Sequence, residues 1–311
     1  MPRAVRLLTG PRVTLQLSLG AGAEARKARP VVLDPASTAS DAFVVVSGEC
    51  IDHYRTNAAL LLESRAMPHL HQTRVGIRRL RSSFSLFGPL LREVPGAFLL
   101  AHRLRALALP FGRARDLDVM LAGPLVDDLD DEQVTRLAAD RESAYDIVQA
   151  ILRSPDWVDA ARGPGGLALL APWPGVADPP VQVLAAQALE KRWHRVVGHV
   201  DFLAEMAPQA RHRVRIEAKK LRYGCEFFAS LYPDDISPVV DDDGTELTGP
   251  PAFAWHVEQV QTALGAVNDH ATADALLHSV GSAAPAVDEH RLVEEAVVAV
   301  RALAALDPFW S

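Results

Sequence analysis

His71 to Phe87 reads H-Q-T-R-V-G-I-R-R-L-R-S-S-F-S-L-F. Laid on a helix at about 100° per residue, His71, Arg74, Arg78 and Arg81 fall on one side, while Ile77, Leu80, Phe84 and Phe87 fall on the other. Four arginines and no Asp or Glu lie between His71 and Arg81. A soluble helix face ordinarily mixes signs and gains i,i+4 pairs, so a face of one sign headed by a histidine is unusual for a merely solvated surface. The arrangement recurs at His212 to Phe228, H-R-V-R-I-E-A-K-K-L-R-Y-G-C-E-F-F. His212, Arg215, Lys219, Lys220, Leu221 and Arg222 match His71, Arg74, Arg78, Arg79, Leu80 and Arg81 at a constant offset, 141 in every case.

The residue types point to an anion. Arginine offers a planar fork of donors suited to phosphate, lysine adds a mobile point charge, and neither is a good nucleophile or general base at neutral pH. The chain as a whole is acidic, with 32 basic against 39 acidic residues and a net charge of -7. That balance argues against a general nucleic-acid coat and makes the two basic faces local exceptions, so a polyanion would be caught at a focused site. With 311 residues, 49% of them hydrophobic, the chain can bury a sizeable core. Its two cysteines, Cys50 and Cys225, make no disulfide framework, and no apolar run is long enough to span a membrane. The expected location is the cytoplasm, since no signal peptide of the usual build is present.

Residues 1–40 differ from the remainder of the chain. Val13 to Leu19 alternates like a strand, and a polar stretch with Arg26, Lys27 and Arg29 then leads to Ser40. The segment is too short to fold alone and contains no part of the repeated surface, so removing residues 1–35 is expected to leave anion binding nearly intact. A helix is expected from Asp41 past Leu62. The basic helix starts at Pro68, near the first helical position where proline is tolerated. Further helices run through Leu99 to Leu107 and from about Asp131 to Arg153. A Pro- and Gly-rich region from Gly163 to Pro180 separates two halves, about 41–162 and 181–311. The second half repeats the order, with a helix from about Val181 to Met206, the second basic helix, and a helix from Trp255 to Leu264. Gly112 and Asp116 correspond to Gly265 and Asp269, and an acidic surface loop between Pro233 and Pro251 accounts for the greater length of the second half at this point. No strand pattern appears after residue 40, which predicts an all-α architecture of two related helical bundles in one domain.

H-Q-T-R-V-G-I-R-R-L-R with R-A-R-D-L-D, and H-R-V-R-I-E-A-K-K-L-R-Y with V-N-D, resemble the CHAD domain, the conserved histidine α-helical domain, from about residue 41 to the end. The resemblance implies two four-helix bundles related by a pseudo-twofold axis, whose basic helices line a central groove or pore that binds inorganic polyphosphate. It implies anion ligands at Arg74, Arg78, Arg79 and Arg81 in one half and Arg215, Lys219, Lys220 and Arg222 in the other, with His71 and His212 beside them. Phosphate or sulfate could occupy the same site. Arg79 and Lys220 lie about 80° around the helix from the stripe. Arg113 and Arg115 extend the first surface, although Ala266 and Asn268 stand at the matching places in the second half. Asp116 and Asp269 are expected to orient arginines or cap a helix, not to bind a metal. Residues 1–40 resemble the tail of a CYTH domain, a triphosphate-tunnel fold often fused before CHAD. The E-x-E-x-K motif of that fold is absent, so its hydrolase activity does not carry over.

Eleven histidines invite a metal hypothesis, but their spacing gives no H-x-x-x-H or Cys/His cluster, and neither metal nor cofactor is expected. His53 and His194 share the offset of the repeat and precede His71 and His212 by equal intervals, which makes them candidates for the same surface or for helix caps. Three functional classes are consistent with these residues: a polyphosphate-binding module that targets or scaffolds, with association to polyphosphate granules; a phosphate-ester or polyphosphate hydrolase, or a metal-chelating phosphoacceptor; and a nucleic-acid binder. No catalytic carboxylate or nucleophile constellation supports the second. The basic faces lack the interleaved aromatics that base stacking requires for the third, and membrane and nucleic-acid partners are not expected.

Overall fold

The computed structural model describes residues 24–232, 239–241 and 243–311. The strand-like pattern from Val13 to Leu19, and with it the bulk of the CYTH-like segment, lies outside the described residues. Eleven α-helices are present among the described residues: α1 Ala39–Glu63, α2 Met67–Leu86, α3 Gly88–Leu91, α4 Ala97–Ala108, α5 Pro110–Ala122, α6 Asp131–Arg153, α7 Pro155–Leu169, α8 Val181–Val197, α9 Pro208–Phe228, α10 Gly249–Ser279 and α11 Glu289–Ala304. The all-α class read from periodicity is what the chain adopts.

Local chemistry explains where the helices begin. Thr38 and Asp41 form a capping box, each side chain accepting from the other's backbone N–H, and Asp130 with Gln133 does the same for α6. Asp41 is therefore the third residue of its helix, not the first. Pro68 and Pro208 occupy the first turns of α2 and α9, where a missing N–H costs nothing.

Several expectations change. α10 runs from Gly249 to Ser279, not only from Trp255 to Leu264, and so takes in the end of the expected loop and the Gly265 to Asp269 stretch. α7 continues through Gly163 to Leu169, inside the region read as a separator, because Gly163 has no Cβ where one would lie 2.5 Å from Leu100 Cδ1 of α4. Tyr54 Oη adds a hydrogen bond to the Ala161 carbonyl at 2.8 Å, so tertiary packing outweighs poor helix propensity. α8 stops at Val197, well before Met206. Gly198 folds back on the His194 carbonyl (N···O 3.0 Å), at a spot where a Cβ would approach that oxygen to 2.6 Å. Finally, the acidic loop contains a small antiparallel hairpin, β1 Val239–Val240 with β2 Glu246–Leu247, turned at Gly244 with φ 81°.

One continuous hydrophobic core joins the two halves. α1 and α2 pack together, and they approach closely at Gly76, which lies against the backbone of Tyr54. α2 packs against α9. Phe87 and Phe228, which hold equivalent positions in the repeat, meet at a tilt of 53° with ring centroids 5.6 Å apart. A contact between equivalent residues fits a twofold relation between the two helices. Arg192 of α8 ties the halves further by donating to the Ser85 carbonyl at 2.8 Å and to Glu217 at 2.7 Å.

Candidate functional site

The crossing of α2 and α9 brings the two basic faces to one cavity of about 590 Å³. α2 contributes His71, Arg78 and Arg79 to its walls, and α9 contributes Arg215, Lys219, Arg222 and Tyr223. Gln261, Gly265 and Asp269 close it from α10. Ile77, Leu80, Leu221 and Phe228 on the opposite sides of α2 and α9 are buried in the core, so the amphipathic division read in the sequence is what aims the cations inward.

The cations crowd one another. Burial first, and then the neighbouring Arg215, Arg78 and Arg74, push the Lys219 ammonium down to about 7, against a weaker pull from Asp269. Burial and Arg78 likewise lower Arg74 to about 10, with Asp116 opposing. The His71 imidazole is held below its ordinary range by burial and by Arg115, Arg78 and Arg74. Arg78 donates from Nε to Tyr223 Oη at 2.7 Å, a neutral acceptor that leaves its charge uncompensated. Neither Arg78 nor Lys219 forms an ion pair among the described residues. Such a cluster is poised to accept an anion, which would relieve both the desolvation and the mutual repulsion.

The Gly-x-x-x-Asp correspondence between the halves has a direct structural cause. A Cβ at Gly265 would lie 2.9 Å from Arg215 Nη2, and one at Gly112 would lie 3.4 Å from Arg74 Nη1. In each half the bare glycine lets a guanidinium rest on the helix backbone. The aspartate one turn later supplies the counter-charge, with Arg215 Nη2 3.5 Å from Asp269 Oδ1 and Asp116 favouring the charged form of Arg74. Both aspartates therefore act on arginines, as expected.

Other candidate residues are paired with carboxylates or lie outside the cavity. Arg79 is buried in an ion pair with Glu226 and lies over the Phe227 ring at 5.0 Å, so it braces α2 against α9 instead of presenting a free charge. Lys220 bonds Glu217 at 2.7 Å and does not line the cavity. Their position about 80° round from the stripe turns both toward the helix interface. Arg222 lines the cavity, but Glu226 and Glu258 stand 3.2 and 3.6 Å from it. Arg81 lies outside the cavity, lowered by burial and by Arg105 and Arg78. Arg113 is exposed and pairs with Asp140 at 3.1 Å, whereas Arg115 faces His71. His212 lies outside the cavity, with its Nδ1 3.1 Å from Asn268 Oδ1.

His53 and His194 do not form a paired surface. His53 is buried, with Nε2 3.1 Å from the Arg26 carbonyl and 3.0 Å from Gln72 Oε1, while His194 is exposed beside Glu190. The sequence reading also missed Tyr223, which is 1% exposed and contacts Arg78, Arg79 and Arg222 through its ring. Lys27 was missed too, and lines the cavity from the N-terminal segment, contrary to the expectation that residues before 40 stand apart from it. Among the described residues no group of three His, Cys, Asp or Glu side chains is arranged to hold a metal ion, and no helix is long and apolar enough to cross a membrane.

The comparisons with known proteins converge on one family. No sequence among the curated proteins matches the chain. The structure is similar to the crystal structure of the CHAD domain from the plant Ricinus communis, with a TM-score of 0.69 and 27% sequence identity over 91% of each chain. The CHAD domain family model matches residues 46–278, a span that includes α2, α9 and both Gly-x-x-x-Asp motifs. This chain belongs to the CHAD domain family.

Proposed function

We propose that the chain is a binding module for inorganic polyphosphate, held between α2 and α9, and that it recruits the protein to polyphosphate deposits or tethers the polymer near a partner. The observation that supports this reading is the pair Arg78 and Lys219, repeat-equivalent cations that line one cavity without acidic partners among the described residues. A linear polyanion suits the site better than a nucleic acid. Tyr223, the aromatic residue of the cavity wall, is buried and engaged with three arginines, so it offers no face on which a base could stack. The bordering carboxylates Glu226, Glu258 and Asp269 are drawn to Arg79, Arg222 and Arg215, and this pairing supports a role in trimming the positive field over one in metal-assisted hydrolysis. Competition of labelled polyphosphate against DNA, RNA and nucleoside triphosphates, with released phosphate assayed in the same samples, tests the reading. Polyphosphate should win, and no phosphate should be released.

Proton linkage gives a second check. In the free protein Lys219 titrates near 7 among Arg215, Arg78, Arg74 and Asp269, and a bound anion raises that value by favouring the ammonium. Affinity is therefore highest below pH 7 and falls as pH rises through 7, by up to about tenfold per pH unit for this one group, until the bound-state value is reached. Lys219→Arg keeps its charge throughout this range and should flatten the decline between pH 6.5 and about 8.5. An unchanged pH profile in Lys219→Arg would show that the linkage lies elsewhere.

A further inference from the structure

Residues 24–33 form an extended strap held on the first half by α1. Arg26 N donates to Asn57 Oδ1 at 3.0 Å, Asn57 Nδ2 donates back to the Arg26 carbonyl at 2.9 Å, and His53 Nε2 meets the same carbonyl at 3.1 Å. Arg26 and Arg29 both reach Asp52 at 2.7 Å. Val31 and Leu33 are buried in the core, and Leu33 N donates to Ser230 Oγ at 2.8 Å. With its neighbours fixed on both sides, Lys27 stands over the start of α2. There it lines the cavity between the basic helices and also a second one of about 520 Å³, which Arg115 of α5 borders. Lys27, His71 and Gln72 are common to both, so the two cavities adjoin.

We propose that the second cavity is an anion subsite that extends the basic groove, in which Lys27, His71 and Arg115 hold the phosphates of a chain whose other units lie between Arg78 and Lys219. The proposal rests on the polyphosphate reading above and adds a direction to it. Four cationic or protonatable side chains, Lys27, His69, His71 and Arg115, converge from three separate elements, with Glu24 the one acidic residue on the wall. His71 is depressed first by burial and then by Arg115, which borders the second cavity, and by Arg78, which lines the first, so it feels the charge of both. The second half has no counterpart. Asn268 stands where Arg115 would be and lies 3.1 Å from His212, the equivalent of His71. The groove is therefore unequal at its two ends, and a long chain gains additional contacts only toward the strap.

Binding of tripolyphosphate and of a long polyphosphate to the full chain, each at two salt concentrations, tests this. Lys27 is exposed and Arg115 forms no ion pair among the described residues, so charge reversal at either leaves the core intact. Lys27→Glu and Arg115→Glu should each weaken long-chain binding roughly tenfold, and should lower the slope of log affinity against log salt by about one. Tripolyphosphate, which fits within the first cavity, should bind within about twofold of wild type. Lys27→Arg should restore long-chain affinity, and Arg291→Glu on the remote α11 should leave both ligands unaffected. Equal losses for short and long chains, or none for either, would overturn the subsite. Failure of the underlying reading looks different: the wild type would bind neither ligand, or Arg78→Glu would leave both unchanged.

Discussion

Reversing charge at Arg78 and Lys219 together is expected to abolish polyphosphate binding while leaving the helical fold intact. Each side chain faces the cavity from its own helix, and each lacks an acidic partner among the described residues. Truncating a desolvated charge contact costs about 2–5 kcal/mol, and reversal adds repulsion, so two positions amount to a loss of roughly 10³-fold or more. A micromolar titration would register that as no binding. The fold tolerates the change because neither residue fills the core. A glutamate at position 78 can accept a hydrogen bond from the Tyr223 hydroxyl, to which the arginine now donates, and one at 219 finds Arg215 beside it. Circular dichroism and the unfolding midpoint report on the fold, and fluorescence anisotropy of labelled polyphosphate reports on binding. A folded double variant with wild-type affinity would remove the cavity from consideration.

The second large effect concerns stability. Gly76 lies inside the basic helix, yet its role belongs to the core, since an added Cβ would meet Tyr54 Cβ at 2.7 Å and Tyr54 Cα and N at 2.8 Å. Two of those atoms are backbone, so relief requires α1 and α2 to separate. Gly76→Ala should cost about 2–3 kcal/mol, because overpacking outweighs the gain in helix propensity. A fall in Tm of roughly 3–5 °C is expected for a chain of this size. Gly48, on the exposed side of α1, has nothing within 4 Å of its absent Cβ, and Gly48→Ala should stabilise by about 0.5–1 kcal/mol. Opposite shifts from the same substitution, measured by thermal unfolding, separate backbone packing from propensity. Equal shifts would show that α1 and α2 are not in backbone contact at Gly76.

The all-α class and the faces of α2 and α9 were legible because the repeat, at its constant offset, carries both hydrophobic and charge registers, each of which independently sets the helix faces, whereas the meeting of the two helices was implied by the family resemblance. What periodicity could not show was which cations keep an acidic neighbour. Glu226 and Glu217 sit on α9 itself, and only the packed structure reveals that they turn to Arg79, Arg192 and Lys220. Lys27 was invisible for another reason. Its place depends on the strap's hydrogen bonds to Asn57 and His53, which belong to tertiary structure and leave no local pattern. The same holds for the passage of α7 through Gly163 and Pro164, where contacts with Leu100 and Tyr54 overrule a sequence that reads as a break. Gly112 and Gly265 were recognised as equivalent from spacing, but their physical task, giving a guanidinium room against a helix backbone, required coordinates.

If one cavity between two repeat-related helices takes up a polyphosphate chain, a crystal structure with a short polyphosphate bound should show phosphates between α2 and α9, within hydrogen-bond reach of Arg78, Arg215 and Lys219, with Arg79 still paired to Glu226. Phosphates bound elsewhere on the molecule, with that cavity left free, would contradict it.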